Sequence, residues 1–417
     1  MPMDCTYASR VVRGARDATC AVALALVTCA THAAADPVAA LASGAYTPAA
    51  AMEVLQNVPS IRDPAVRRLA DLRQRAAAAP RDVRAADALA RAFVDYGRTV
   101  GDARYAGYAE ATIAPWLARG DAPPALLVTQ STILQYRHDF DAARGLLERA
   151  VGLDPALGQA WLTLASLDLV QGRLAQAAAH CRRIGRQGNG AVATAACQAS
   201  VRSATGEAAQ AQVMLARLDD DDAPPVQRAW IAGLAAEAAE RQGRWDVAEA
   251  AYRRGLAAAP GDNFLLVAYA DLLLDRDRPR DAIALLGGAV DADTAYLRLA
   301  IAHAVLRTPD AARHRWTMAA RLAAYAQRGD TTAGREEARF HLALTGDAPA
   351  ALEAAQRNFR MQREAADVRL LLAAALAADR PKAGQPALDF LAQTKLADPR
   401  VDALAARVRR ALGDGAP

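Results

Sequence analysis

Lysine is nearly missing from this 417-residue chain: Lys382 and Lys395 are the only two among 50 basic residues. The arginines alternate with acidic residues and form no runs, so the bias reflects a GC-rich bacterial genome more than phosphate chemistry. A formal net charge of +4 leaves no basic stripe for a nucleic acid. Aromatic residues amount to 5%. No stretch alternates Val, Ile, Thr and aromatics as a half-buried strand requires, so a sheet is excluded as the main architecture. The signatures of catalysis are missing too: no Gly-x-Gly-x-x-Gly after a strand, no phosphate-binding loop, no Gly-x-Ser-x-Gly elbow, no His-Glu-x-x-His. That points away from an enzyme and from any cofactor. His138, His180, His303, His314 and His341 are scattered over different repeats with no partner at ligand spacing, and they read as solvent-facing or capping residues, not metal ligands. The apolar run Cys20 to Ala30 has 11 residues, short of the roughly 18 that a membrane-spanning helix needs.

That run nevertheless has a meaning. Arg10, Arg13 and Arg16 precede it, and Ala33-Ala34-Ala35 follow it before Asp36-Pro37. This is the outline of a cleavable secretory signal over residues 1–35, and it predicts a periplasmic or secreted protein. The stretch ahead of the run is long, which leaves room for a start codon downstream of Met1. Leu26-Val27-Thr28-Cys29 is similar to a lipoprotein signal, but Thr28 departs from the usual small residue, so membrane attachment through Cys29 is the weaker reading. Cleavage would remove Cys5, Cys20 and Cys29. Cys181 and Cys197 remain, either as a disulfide in an oxidising compartment or as two small buried hydrophobes on adjacent helices.

With 53% apolar and 23% charged residues the chain can bury a large core, and helix is the expected element. Self-similarity sets the register. Gly243-Arg244-Trp245 leads through Ala248 and Tyr252 to Ala259-Pro260; Phe140, Ala143, Leu147, Ala150 and Pro155 take the same positions upstream. So do Gly172, Ala177, Cys181 and Ile184, preceded by Trp161-x-x-Leu164-Ala165, and then Gly206, Ala211, Leu215 and Leu218. Repeat starts at Pro124, Gly158, Val192, Ala229 and Asn263 give steps of 34, 34, 37 and 34 residues. The long step contains Asp219 to Asp222 and Pro224-Pro225, a loop that absorbs three residues. Four adjacent carboxylates without a Gly turn or a downstream Glu do not make a calcium site. Ala143, Ala177, Ala211, Ala248 and Ala282 recur where two helices must approach most closely.

This pattern resembles the tetratricopeptide repeat: a Gly at the inter-helix turn, then Ala, an aromatic, a small residue and Pro, with Trp161-x-x-Leu164-Ala165 similar to its opening. The resemblance implies an all-α superhelical solenoid of antiparallel helix-turn-helix hairpins, roughly 8–11 repeats long. Residues 36–123 then hold degenerate N-terminal hairpins and a cap with helices from Pro48 to Ala79, and 124–292 the regular repeats. Residues 293–417 hold degenerate C-terminal hairpins and a closing helix from Arg400 to Leu412. It implies, further, a protein or peptide partner in a concave groove lined by the first helix of each repeat. Carried over, the groove positions are Gln135, Tyr136, Gln159, Leu162, Ser166, Trp230, Glu237, Glu240, Arg241, Phe264, Asp271 and Asp275. Apolar anchors at Leu162, Trp230 and Phe264 beside an acidic sector suit an extended segment with basic and apolar residues. The Lys and Asn set of a carboxylate clamp is missing. An envelope assembly or export scaffold is the leading expectation. The alternatives are a polysaccharide-binding or export-associated periplasmic solenoid, for which Trp230, Trp116 and Trp316 are the available platforms, and an accessory subunit of an envelope enzyme.

Overall fold

Aspartate and proline decide where the helices begin. Asp63, Asp82, Asp139, Asp262, Asp347 and Asp398 each accept a backbone N–H of the helix they precede, while proline opens the helices at Pro64, Pro124, Pro225, Pro279 and Pro399. Its missing N–H is one the first turn leaves unpaired anyway. The computed structural model describes residues 52, 60, 62–185, 190–288 and 291–413. The expected signal segment, Cys5, Cys20, Cys29 and the first part of the leading helices predicted from Pro48 to Ala79 lie outside these residues.

Twenty α-helices and no strand occur among the described residues. After α1 (Pro64–Ala78) come α2 (Val83–Val100) with α3 (Arg104–Leu117), α4 (Pro124–Tyr136) with α5 (Phe140–Leu153), and α6 (Gly158–Val170) with α7 (Leu174–Cys181). The series continues with α8 (Gly190–Ala204) and α9 (Ala208–Ala216), α10 (Pro225–Glu240) and α11 (Trp245–Ala258), and α12 (Asn263–Asp275) and α13 (Pro279–Leu286). Then come α14 (Asp293–Val305) and α15 (Ala311–Gln327), α16 (Gly334–Phe340) and α17 (Ala348–Met361), and α18 (Ala365–Ala377) and α19 (Gln385–Thr394). Helix α20 (Pro399–Leu412) closes the series. The fold is the all-α solenoid of tetratricopeptide-like hairpins.

Each hairpin turns at one residue in the left-handed region, and these residues follow the repeat: Gly101, His138, Gly172, Gly206, Gly243, Asp277, Arg307, Gly346 and Asp379. Inside each hairpin the crossing alanine has no exposed surface, as at Ala143, Ala177, Ala211, Ala248 and Ala282. A larger side chain there would force the helices apart. Leu147, Leu164, Leu215 and Tyr252 fill the wider gaps between hairpins, so each hairpin is buried by its neighbours.

The joint between α7 and α8 has the smallest cluster, with Ala165, Ala177, Ile184 and Val201 around the two cysteines. Here Cys181 and Cys197 form a disulfide, their Cα atoms 5.6 Å apart. Of the two readings left open by the sequence, the bonded pair is the one found. Closing a loop of this length contributes about 3 kcal/mol through the unfolded chain. Denaturant unfolding with and without a phosphine reductant should therefore differ by about that amount, with amide exchange rising first in 174–204. Identical unfolding curves would show that the bond adds no stability.

Candidate functional site

The first helices α6, α8, α10 and α12 lie side by side and form the inner wall of the solenoid. Leu162, Ser166, Ser200, Trp230, Leu234, Glu237, Arg241 and Phe264 from this wall surround a pocket of about 220 Å³. Thus six of the twelve groove residues expected from the sequence converge: Leu162, Ser166, Trp230, Glu237, Arg241 and Phe264. Trp230 and Phe264 keep 37% and 57% of their surface exposed, large values for aromatic side chains that helical packing would otherwise hide. Arg241 donates to Ser203 Oγ at 2.5 Å, and its Nη2 lies 3.6 Å from Glu237.

The opposite wall was not foreseen. It is built by the chain's own C-terminal hairpins, through Arg363, Glu364, Ala365, Phe390 and Leu396. The Arg363 N–H donates to the Val170 carbonyl at 2.7 Å, extending the end of α6 into the start of α18. These hairpins run along the row of inter-helix turns. A Cβ on Gly172 would stand 2.5 Å from the Phe390 ring, and one on Gly206 would stand 2.7 Å from the Lys395 carbonyl oxygen. Both glycines therefore serve two needs, a positive φ and a close approach. Further along the row, burial and nearby Arg335 push the His138 imidazole below its ordinary range.

This arrangement changes the meaning of the acidic sector. Glu240, Asp271 and Asp275 already hold arginines from the later hairpins. Arg400 donates to Glu240 at 2.9 Å and to Asp275 at 3.2 Å, and Arg369 pairs with Asp275. Arg298 grips Asp271 with two hydrogen bonds of 3.0 Å, and Arg339 adds a further contact. Burial alone would raise the Asp271 carboxyl, but Arg298, Arg339 and Arg369 outweigh it and hold it at about 2. Glu240 is different. Burial dominates there, and Glu237 and Asp398 outbid part of the Arg400 attraction, so its carboxyl is pushed up to about 7.

Besides Glu240, Asp271 and Asp275, three more expected groove residues lie outside the pocket lining. Gln135 donates to the Ser131 carbonyl and Gln159 to Thr163 Oγ1, both at 3.3 Å and both on their own helices. Tyr136 packs against the core shared by α1 to α6, where burial raises its hydroxyl pKa. Its ring fills space between hairpins instead of facing a partner. Among the described residues no group of three or more His, Cys, Asp or Glu is placed to hold a metal ion, and no helix is long and apolar enough to cross a membrane.

A family profile for the tetratricopeptide repeat matches residues 135–199, from the end of α4 into α8. No curated protein matches. Among solved structures, a chain of the APC/C hetero-tetramer Cut9-Hcn1 is similar at 11% identity and a TM-score of 0.33, covering 84% of this chain and 87% of that one. A chain from the structure of Naa15/Naa10 bound to HypK-THB is similar at 16% identity and a TM-score of 0.29, over 85% of this chain. The match spans 58% of the length of that second chain.

Proposed function

We propose that this protein is an exported, non-catalytic scaffold that binds a protein partner as an extended segment along the inner wall formed by α6, α8, α10 and α12. The observation that carries the reading is the pair of exposed aromatic side chains, Trp230 and Phe264, at a pocket lined by four successive first helices. Large apolar side chains left exposed around a concavity are the usual anchors of a protein interface. The disulfide between Cys181 and Cys197 supports a site of action beyond the reducing cytoplasm, in keeping with the expected signal segment.

The scaffold reading is tested by placing a photo-crosslinking amino acid at Phe264 in cells, with Arg254 on the outer surface as control. A discrete protein adduct is expected from position 264, absent from position 254 and lost on adding Trp230→Ala. If position 264 gives no adduct while the purified protein retains envelope polysaccharide, the partner is a glycan and the reading fails.

A further inference from the structure

One carboxylate of the inner wall is poorly matched. Glu240, Asp271 and Asp275 each receive arginine hydrogen bonds within the chain. Glu237 has only a loose i,i+4 ion pair with Arg241, at 3.6 Å and beyond hydrogen-bond range, while the hydrogen bond of Arg241 goes to Ser203. The other charges of the pocket are also engaged: Arg363 lies over the Phe359 ring and donates to its carbonyl, and Glu364 meets Arg335 at 2.6 Å. Burial raises the Glu237 carboxyl above its usual range despite Arg241, and Glu364 adds to the rise. That is the behaviour of a carboxylate short of a cation.

Its surroundings specify what that cation would look like. Trp230 and Glu237 stand seven residues apart on α10, two turns along one face, with Leu234 between them and Phe264 across from α12. The chain already contains one solved example of this chemistry. The Arg400 guanidinium lies 5.5 Å from the centre of the Trp245 ring while donating to Glu240, so an aromatic face and a carboxylate read one arginine together. A space of about 220 Å³ is below the roughly 300–1,000 Å³ of small-molecule sites, and suits a single long side chain.

We infer that the Trp230–Glu237 pocket recognises an arginine side chain of the partner's extended segment, its methylene stem against Trp230, Leu234 and Phe264 and its guanidinium on Glu237. This rests on the groove reading above and adds the residue that the groove selects. Arginine fits better than lysine because its planar head can stack and hydrogen-bond at once.

The test uses the full chain, immobilised, and a synthetic library of randomised 12-residue peptides, with wild type, Glu237→Gln and Glu237→Arg compared after thermal melts confirm all three fold. Wild type should enrich peptides with arginine next to Leu, Phe or Met by about tenfold or more. Glu237→Gln should keep the apolar preference and lose the arginine, and Glu237→Arg should select Asp or Glu in its place. Apolar enrichment without arginine, or an arginine preference that survives Glu237→Gln, overturns this inference and leaves the groove standing. Retention of no peptide by any of the three overturns both.

Discussion

Replacing Arg298 with Ala should destabilise the protein by about 4 kcal/mol, because it removes one partner from a buried charge cluster. Arg298 is 3% exposed and joins α14 to two other hairpins, with Asp271 on α12 at 3.0 Å and Glu336 on α16 at 3.3 Å. Without it two carboxylates face each other, and Arg339, itself held below its ordinary range by burial and by Arg298, is left as the main cation for both. Urea unfolding monitored by circular dichroism measures the loss directly. Arg298→Met keeps the apolar volume and should be nearly as damaging, since the loss comes from unmatched charge. If either variant unfolds within 1 kcal/mol of wild type, the cluster does not hold the later hairpins in place.

The second large effect is expected at Arg400, and it should depend on pH. Arg400 binds Asp398 with two hydrogen bonds, of 3.0 and 2.8 Å, and reaches back to Glu240 and Asp275. Asp398 and Glu240 are 1% and 7% exposed, so Arg400→Ala should weaken the fold by about 3 kcal/mol and speed amide exchange in α19 and α20. The Glu240 carboxyl rises on folding from 4.5 to about 7. The folded state therefore holds this proton more tightly. Its contribution is complete below about 4.5 and is lost as the pH rises through about 7. Removing Arg400 leaves Glu240 with no cation when it ionises, so the deficit should be larger at pH 8 than at pH 5.5. A deficit that shrinks with rising pH would rule out Glu240 as the titrating group, and Glu240→Gln in the same background should flatten the slope.

Much of the architecture was legible because the repeat is local. Starts read at Pro124, Gly158 and Asn263 coincide with the observed helices. Two starts came late: α8 begins at Gly190, two residues before Val192, and α10 at Pro225, four residues before Ala229. At α10 the expected loop takes in the whole proline pair, whereas Pro225 stands at the first helical position and opens the helix. Half of the expected groove was legible for the same reason, since Leu162, Ser166, Trp230, Glu237, Arg241 and Phe264 occupy one repeat register. The occupants of the acidic sector were not legible. Arg369 and Arg400 meet Asp275 and Glu240 across 94 and 160 residues, and arginines in degenerate repeats give no sign of which distant carboxylate they will find. Gly172 and Gly206 are a subtler case. The turn explains them fully from sequence, and their second duty against Phe390 and Lys395 appears only when the far end of the chain comes into view.

The hydrogen bond from Arg400 to Glu240 has a consequence for how the protein comes apart. An open row of repeats can fray from its ends, each unit melting with help only from the next. Here the last units rest on the middle ones, so unzipping from the C-terminus must first expose the floor on which α10 and α12 depend. Melting should then be a single cooperative event, and refolding slow, since the final contacts join residues 160 positions apart.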